Sequence, residues 1–333
     1  MVAFDSEIQT ARFHSPLEEF ELVEVDVEVR EDPLTGRGTR IVPDNFLTPE
    51  TEPDLSPVVE DASGCFFCPD SVRDATPTYP ADLGLGDRGS RGGATSFPNL
   101  NPYGRRSNVV VLTEDHYRPI DEFDADTLTD GLALAVEYVR AAMDADGASH
   151  ASVNMNFLRP AGSSIVHPHV QTLVDDRGTN AVRERLDAAR VYEQAESGSY
   201  YADLVDAEAG GERHAGTTGA VEWLAPFAPK HHYHLTGVAP DAALPGPDDD
   251  LVAEFAAGMA GVLDYYGDRG LNSFNMALHL TDDGALPPVM DLVARSVFEE
   301  YYWSDSPFFV TLHDEGVVDV APETYAAEAG AFL

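Results

Sequence analysis

The sequence predicts an α+β fold made of two similar units in tandem, and three observations lead to this expectation. Each half shows β-strand patterns, then one long amphipathic helix, then further strands. A length of 333 residues suits two domains. Hydrophobic residues form 43% of the chain, enough to bury a core, which excludes wholesale disorder. We place the two domains at residues 1–180 and 181–333.

The first half opens with a polar lead-in over residues 1–20. Residues 21–30 alternate valine with acidic residues, the period of a half-buried strand, and residues 39–42 suit a second strand. Residues 43–64 are rich in proline and acids and predict a loop. Residues 70–96 carry many glycine, arginine and proline residues and predict a long flexible insertion.

Regular structure should resume with a buried strand at 107–112. Leucine, valine and methionine at helical spacing predict a helix over 124–145, which Gly147 would end. Residues 151–158 and 163–174 then predict two strands of one meander, and a second amphipathic helix should follow at 180–196.

The second half repeats the order of strands, helix and strands. Residues 205–219 predict a polar linker, and a short closing helix should begin near Pro322. The predicted strand, long helix and two final strands of this half cover residues 221–228, 248–266, 274–280 and 288–296.

The charge of the chain is its most unusual property. Lysine and arginine total 20 against 59 acidic residues, a formal net charge of −39, and Lys230 is the only lysine. This charge argues against binding of nucleic acids and of anionic membranes, both of which attract clustered basic residues. High salt screens such self-repulsion, so we expect a halophilic protein. Equal stability at about 0.1 M and about 2–3 M salt would contradict that expectation.

The sequence also bears on the compartment. The first residues show no basic and apolar signal-peptide pattern, and no apolar run reaches the roughly 18 residues that span a bilayer. Two cysteines are too few for a disulfide scaffold. We therefore expect a cytoplasmic protein.

The segment from Ser163 to Gln171 is the most informative part of the sequence. In a strand, residues two apart face the same side, so His167, His169 and Gln171 should project together. Val166, Pro168, Val170 and Val174 should face the core. Pro168 has no N–H, so this strand should lie at a sheet edge or lose one hydrogen bond.

Cys65 and Cys68 form a CxxC pair, and three interpretations compete. A redox pair would need a thioredoxin-like context that the sequence lacks. Two buried thiols without a function are a second option. A zinc site needs two further ligands, and without other cysteines these would have to be histidines such as His116 and His167.

A histidine-rich stretch at 231–234 follows Lys230. Such a stretch could bind a metal or a phosphate with help from the lysine. A solvated loop in which histidines take the place of lysines is the interpretation we favour.

Together these motifs resemble galactose-1-phosphate uridylyltransferase and its relatives, the His-x-His-x-Gln branch of the histidine-triad superfamily. The resemblance covers residues 25–180 well and the rest weakly. The motifs that carry it, in order, are Arg30-x-Asp32-Pro33-Leu34-Thr35-Gly36, Cys65-x-x-Cys68, Phe97-Pro98-Asn99, His116, Asn156, Ser164 and His167-Pro168-His169-x-Gln171.

The resemblance implies a fold and a set of roles. Each unit would be a histidine-triad-like domain, an antiparallel sheet with packed helices, and the first would be catalytic. His169 would be the nucleophile that carries a covalent nucleotide. The implied ligands of one structural zinc are Cys65, Cys68, His116 and His167. The implied contacts to the phosphoryl groups and the nucleotide are Gln171, Ser164, Asn156 and Asn99.

The chain also departs from the family. A phosphate-binding arginine expected just after the N-terminal strands is missing at 42–45, where Arg37, Arg40, Arg105 or Arg106 could substitute. Residues 287–296 lack the His-x-His pair of a second metal site, so we expect no second metal. The residues that hold the hexose in relatives have no clear counterparts near the C-terminus.

Three functions are therefore compared. The first is transfer of UMP from a UDP-hexose to a hexose 1-phosphate. The second uses the same intermediate with inorganic phosphate as acceptor, as a nucleoside-diphosphate-sugar phosphorylase such as one acting on ADP-glucose. The third is a zinc-stapled nucleotide-sugar-binding protein without turnover, which has no need of a nucleophile. The family also implies a homodimer.

Overall fold

A computed structural model describes residues 2–42, 54–295 and 306–333. The strands and helices, numbered in chain order, are β1 (Ser6–Ser15), β2 (Glu21–Glu31), β3 (Gly38–Ile41), α1 (Ser56–Val59), α2 (Pro69–Ala75), β4 (Gly89–Arg91), β5 (Ala94–Pro98), β6 (Arg106–Val111), α3 (Ala125–Asp146), β7 (His150–Phe157), β8 (His169–Asp175), α4 (Asn180–Glu196), α5 (Tyr200–Glu208), β9 (His214–Thr218), β10 (Val221–Leu224), β11 (Leu235–Val238), α6 (Asp250–Asp268), β12 (Ser273–Thr281), β13 (Val289–Arg295), β14 (Gly316–Val318) and α7 (Pro322–Ala329).

One antiparallel sheet of ten strands, in the order β4-β5-β6-β8-β7-β12-β13-β11-β10-β9, organises the molecule. Five strands come from each half of the chain, and the order within one half mirrors the order within the other. β7 and β12 join the halves, with Met155 opposite Met276. This arrangement confirms the predicted α+β class and its two similar units. The sheet runs without a break across the predicted domain boundary.

The long helices α3 and α6 lie against the same face of this sheet and pack on each other. Asp124 caps α3 by accepting a hydrogen bond from the backbone N–H of Thr127 at 2.7 Å, and Gly147 ends the helix with φ of 68°, as predicted. On β8, Val170 and Val174 point into the core under the helices. The side chains that alternate with these two valines along β8 therefore point to the opposite face of the sheet.

Three segments that the sequence placed in loops are regular. The lead-in 1–20 contains β1, which pairs with β2 along its whole length from Ser6 opposite Arg30 to Ser15 opposite Glu21. The insertion 70–96 contains most of α2, all of β4 and the start of β5, and the linker 205–219 contains the end of α5 and β9. Polar residues on exposed faces hid the alternation in these elements. The predicted loop 43–64 lies partly outside the described residues.

The strand predicted over 163–174 starts only at His169. It lies between β6 and β7 in the interior of the sheet, so the first of the two alternatives, an edge strand, was wrong. Pro168 precedes the strand, and its carbonyl accepts a hydrogen bond from the N–H of Leu112 at 3.0 Å. Proline has no N–H to donate in return, which is the second of the two alternatives.

A smaller sheet, in the order β1-β2-β3-β14, lies beside the main one, with β14 parallel to β3. In the parts of the chain that the structure describes, no helix is both long enough and apolar enough to cross a membrane.

Candidate nucleotidyl-transfer site

Two cysteines and two histidines from three parts of the chain meet beside β8. Cys65 and Cys68 precede α2, His116 follows β6, and His167 precedes β8. Their potential donor atoms all lie within 4.8 Å of one another. The sulfur-to-Nδ1 separations are 3.7 Å for Cys65 to His167, 3.6 Å for Cys68 to His116 and 3.7 Å for Cys68 to His167.

These separations suit one tetrahedral zinc ion. Zinc bonds of roughly 2.3 Å to sulfur and 2.0 Å to nitrogen place such ligand atoms about 3.5 Å apart. His167 is fully buried, and its Nε2–H donates to the carbonyl of Thr113 at 2.8 Å, which leaves Nδ1 free to bind a metal. Burial, together with the neighbouring Cys65 thiol, raises the pKa of the Cys68 thiol to about 11, so a bound cation would have to displace its proton. The four predicted ligands thus form a site that could hold one metal ion.

His169 is the histidine at the start of β8, two residues beyond the cluster. Its Nδ1–H donates to the carbonyl of His167 at 2.8 Å, so Nε2 carries the free lone pair of a neutral ring. The edge of the ring lies against Phe67, with 5.1 Å between the centroids. Burial lowers the pKa of His169 and favours this neutral form. The ring is held in one orientation and one tautomer, as a nucleophile requires.

His169 lines a cavity of about 500 Å³ on the sheet face opposite α3 and α6. This volume falls in the usual range for a small-molecule site. The four other residues predicted to bind substrate line the same cavity: Asn99, Asn156, Ser164 and Gln171. The Nδ2 of Asn99 is buried and has no hydrogen-bond partner among the described residues, so it can donate to a ligand. His167, expected to share the face of His169 and Gln171, instead turns into the metal cluster.

Sequence reasoning missed the apolar part of this cavity. Phe66, Leu100 and Tyr103 line it and are largely exposed, and Phe67 and Phe97 lie deeper. Flat apolar walls of this kind suit a nucleobase or a sugar face. The two phenylalanines inside the CxxC motif were the sequence feature that could have indicated these apolar walls.

None of the four arginines proposed as substitutes lines this cavity. Arg37 pairs with Glu184 and Asp314, and Arg40 pairs with Glu315. Arg105 and Arg106 both pair with Asp146. The residues 43–45 of the departure from the family lie outside the described residues.

Arg295 is linked to the cavity by hydrogen bonds, and the sequence analysis did not predict it. Its Nη1 donates to Asn275 Oδ1 at 2.8 Å, and Asn275 Nδ2 donates to Asn156 Oδ1 at 2.7 Å. This chain of hydrogen bonds fixes the amide of Asn156 with its Nδ2 group available to a ligand. No local sequence pattern links residues so far apart.

The histidine stretch at 231–234 is buried, so the expectation of a solvated loop was wrong. His231, His232 and His234 are 6%, 7% and 2% exposed. His234 Nε2 lies 3.2 Å from Asp291 Oδ1, and Arg185 Nη2 donates to Asp291 Oδ2 at 2.7 Å. Asp291 thus contacts partners that are distant in sequence. No local sequence pattern indicates these contacts.

Asp291→Asn should destabilise the protein by about 3–5 kcal/mol, because it leaves the buried Arg185 guanidinium without its counter-charge. That guanidinium and the hydrogen bonds from His234 and His279 hold the pKa of Asp291 well below its usual range, against the effect of burial. A lowered folded-state pKa gives stability that is present above the ordinary aspartate pKa and is lost as the pH falls through the folded one. Denaturant unfolding between neutral and acid pH measures both effects.

Asp248→Asn is the matched control, because Asp248 is largely exposed in its pair with Arg91. It should cost less than about 1 kcal/mol. Equal costs for the two variants would contradict the importance of the buried pair.

The sequence was compared with models of known families and with the sequences of known proteins. No model of a known protein family matches the sequence. An uncharacterized protein of Archaeoglobus fulgidus is 36% identical over 306 residues, which cover 91% of each chain.

Three solved structures share the fold. A GalT-like protein of Arabidopsis thaliana has 18% identity and a TM-score of 0.69 over 92% of this chain and 99% of its own. An ADP-glucose phosphorylase of the same plant has 17% identity and a TM-score of 0.70 over 91% and 98%. A uridylyltransferase has 19% identity and a TM-score of 0.66 over 91% and 97%. The chain belongs to one family with the archaeal protein, and its fold is that of the galactose-1-phosphate uridylyltransferase-like proteins.

Proposed function

We propose that the protein is a nucleotidyltransferase that moves UMP from a UDP-hexose to a hexose 1-phosphate through a covalent nucleotidyl-His169. The observation that carries this proposal is the state of His169. Its Nδ1–H is engaged by the His167 carbonyl, its Nε2 is unprotonated, and it lines a cavity large enough for a substrate. A binding protein without turnover has no need of such a ring.

The reaction would run as two displacements at the α-phosphorus. Nε2 of His169 forms a bond to phosphorus, the bond from phosphorus to the bridging oxygen breaks, and its electron pair leaves with the hexose 1-phosphate. A second hexose 1-phosphate then attacks the same phosphorus through a phosphate oxygen and releases Nε2. This order predicts ping-pong kinetics.

The surrounding residues would stabilise charge during each displacement. The imidazole becomes cationic when Nε2 bonds to phosphorus, and the His167 carbonyl at 2.8 Å accepts the shared Nδ1 proton more strongly in that state. The side chains of Gln171 and Ser164 line the cavity and would donate to the phosphoryl oxygens, where negative charge develops. Asn156 and Asn99 would orient the nucleotide.

Cys65, Cys68, His116 and His167 would hold one structural zinc ion. Bound there, it would act as a fixed anchor that keeps the His167 carbonyl in place for His169. We expect no second metal. The positions of Asp291, His234 and His279 support this, because Asp291 is already neutralised by Arg185 at 2.7 Å.

We further propose a cytoplasmic homodimer. None of the described residues that line the catalytic cavity is a lysine or an arginine, so a partner subunit could supply the charge that the phosphates need. The β1–β2 hairpin also carries five exposed apolar side chains that a partner would cover: Ile8, Phe13, Leu17, Phe20 and Leu22.

Trapping of the intermediate tests the proposal directly. The protein is incubated with labelled UDP-glucose or ADP-glucose in about 2 M KCl, which screens the acidic surface. It is then denatured and its intact mass measured, with His169→Gly as the control. A UMP adduct absent from the control is the expected result.

The other outcomes separate the alternatives. An AMP adduct would contradict uridylyl transfer and indicate an adenylyl-transferring phosphorylase, which product analysis with inorganic phosphate would then confirm. No adduct from either donor, on folded and zinc-loaded protein, would overturn covalent catalysis.

A further inference from the structure

A second cavity system, away from His169, lies beside the second half of the main sheet and is closed by N-terminal residues such as Asp32. It is built from three features that the catalytic site does not use: the Asp32-Pro33-Leu34 turn, the lone Lys230 and the buried His234. Two adjoining chambers of about 80 and 180 Å³ share Asp32, Arg185, Ala228 and Lys230 as walls. Arg185 and Lys230 therefore face both chambers.

Its position matches that of the catalytic cavity in the other half. β13 holds the place in the mirrored strand order that β8 holds in the first half. Met290 and Leu292 point into the core under the helices, so Asp291 lies on the face that bears His169 in the first half. Here α4 and α5 cover that face and leave only a small enclosed space. β13, the counterpart of the strand that carries His169, presents the carboxylate of Asp291, which is paired with Arg185.

Two buried donors facing this space lack acceptors among the described residues. Nη1 of Arg185 is inaccessible and has no hydrogen-bond partner, although Nη2 is paired with Asp291. The hydroxyl of Tyr201 is likewise without a partner, in a residue that is only 4% exposed. Buried donors almost always find an acceptor, so the space between them suits one that a ligand would bring.

One cationic group at this space has no acidic partner among the described residues. Lys230 is exposed at the opening of the chambers, and no hydrogen bond or ion pair of its ammonium group is found within the described ranges 2–42, 54–295 and 306–333. The charge of the neighbouring Arg185 lowers the pKa of Lys230, as expected where two cations lie close together. An anion between them would relieve this repulsion.

Most acidic residues around the chambers are paired with arginines, and Asp32 is hydrogen-bonded within its own turn. Asp32 Oδ1 accepts from the N–H and the hydroxyl of Thr35 at 2.8 and 2.6 Å. Glu184 pairs with Arg37 at 2.5 Å. The remaining acids pair with arginines as well: Asp314 with Arg37, Glu315 with Arg40, and Glu208 with Arg213.

We propose that these chambers bind a small phosphate-bearing anion, either inorganic phosphate or a phosphate monoester, between Arg185, Lys230 and Tyr201. The site is non-catalytic, because no nucleophile with a free lone pair and a fixed tautomer like that of His169 faces it among the lining residues described. This inference stands apart from the proposed nucleotidyl transfer.

Isothermal titration of the full-length protein with inorganic phosphate, and separately with glucose 1-phosphate, tests the proposal. It is run in the lowest KCl concentration that keeps the protein folded, because chloride competes. Lys230→Met should weaken the affinity of one site by about tenfold or more, since a charged hydrogen bond is lost. Tyr201→Phe should weaken it by a smaller factor. The tighter of the two ligands identifies the source of the phosphate.

Arg140→Met is the matched control, because Arg140 is an exposed residue of α3 and the change removes the same single charge. It should leave binding unchanged. Formation of the nucleotide adduct at His169 should survive in Lys230→Met, so failure of this site and failure of the proposed function are told apart. Affinities and stoichiometry equal to those of the unaltered protein in both Lys230→Met and Tyr201→Phe would overturn the proposal.

Discussion

His169→Gly should lower kcat/KM for nucleotide transfer by at least about 10⁴-fold, the scale seen when a covalent nucleophile is removed. Because glycine has no side-chain atom that could attack phosphorus, the two-step route through the covalent intermediate is lost. The single remaining route would need direct attack of one anionic phosphate on another, without an intermediate. Steady-state rates with UDP-glucose and a hexose 1-phosphate measure the effect.

The metal content of His169→Gly is an internal check, because His169 is not one of the four clustered ligands. Zinc should stay at one ion per chain. His14→Gly serves as the matched control, since His14 is an exposed residue of β1 whose Nδ1–H donates to the Phe20 carbonyl at 2.8 Å. Near-normal turnover in His169→Gly would show that the covalent mechanism is wrong.

Cys68→Ser should reduce bound zinc from one ion to none per chain and destabilise the fold. A metal present at about a thousand times its dissociation constant stabilises the folded state by about 4 kcal/mol, which this variant would lose. Turnover should fall too, because the His167 carbonyl that holds His169 would no longer be anchored. Metal analysis and thermal unfolding measure the two losses.

The control for this variant is Asp70→Asn in the first turn of α2, close to Cys68 but outside the ligand cluster. It should keep its zinc and its melting temperature. If Cys68→Ser retained a full complement of zinc, the assignment of Cys68 as a ligand would be wrong. Addition of a chelator to the unaltered protein should reproduce the loss of stability.

The residues of the site were predictable because their chemistry is rare and local. A CxxC pair without further cysteines needs histidine ligands, and the family resemblance implied which two they are. The alternation of His169 and Gln171 survives in β8. The place of His167 was not predictable from alternation, because the strand begins only after Pro168. Its turn into the metal cluster depends on Cys65 and Cys68, about a hundred residues earlier.

The fold was predictable where apolar residues recur with a clear period, as in α3 and α6. It was not predictable where an element is exposed on both sides. β1 is exposed along nine of its ten residues, so its strand character comes from pairing with β2 and not from burial. The buried partners of Asp291 were hidden for another reason. Arg185 is 106 residues away, and only the folded chain brings the two together.

The pairing of β7 with β12 at the centre of the ten-stranded sheet has a consequence for how this chain can be divided. A cut after residue 180 would leave each fragment with a bare strand edge, where unpaired N–H and C=O groups invite aggregation. We therefore expect the two units to unfold together, although they have similar topology. A substitution in either unit must preserve the pairing of β7 with β12.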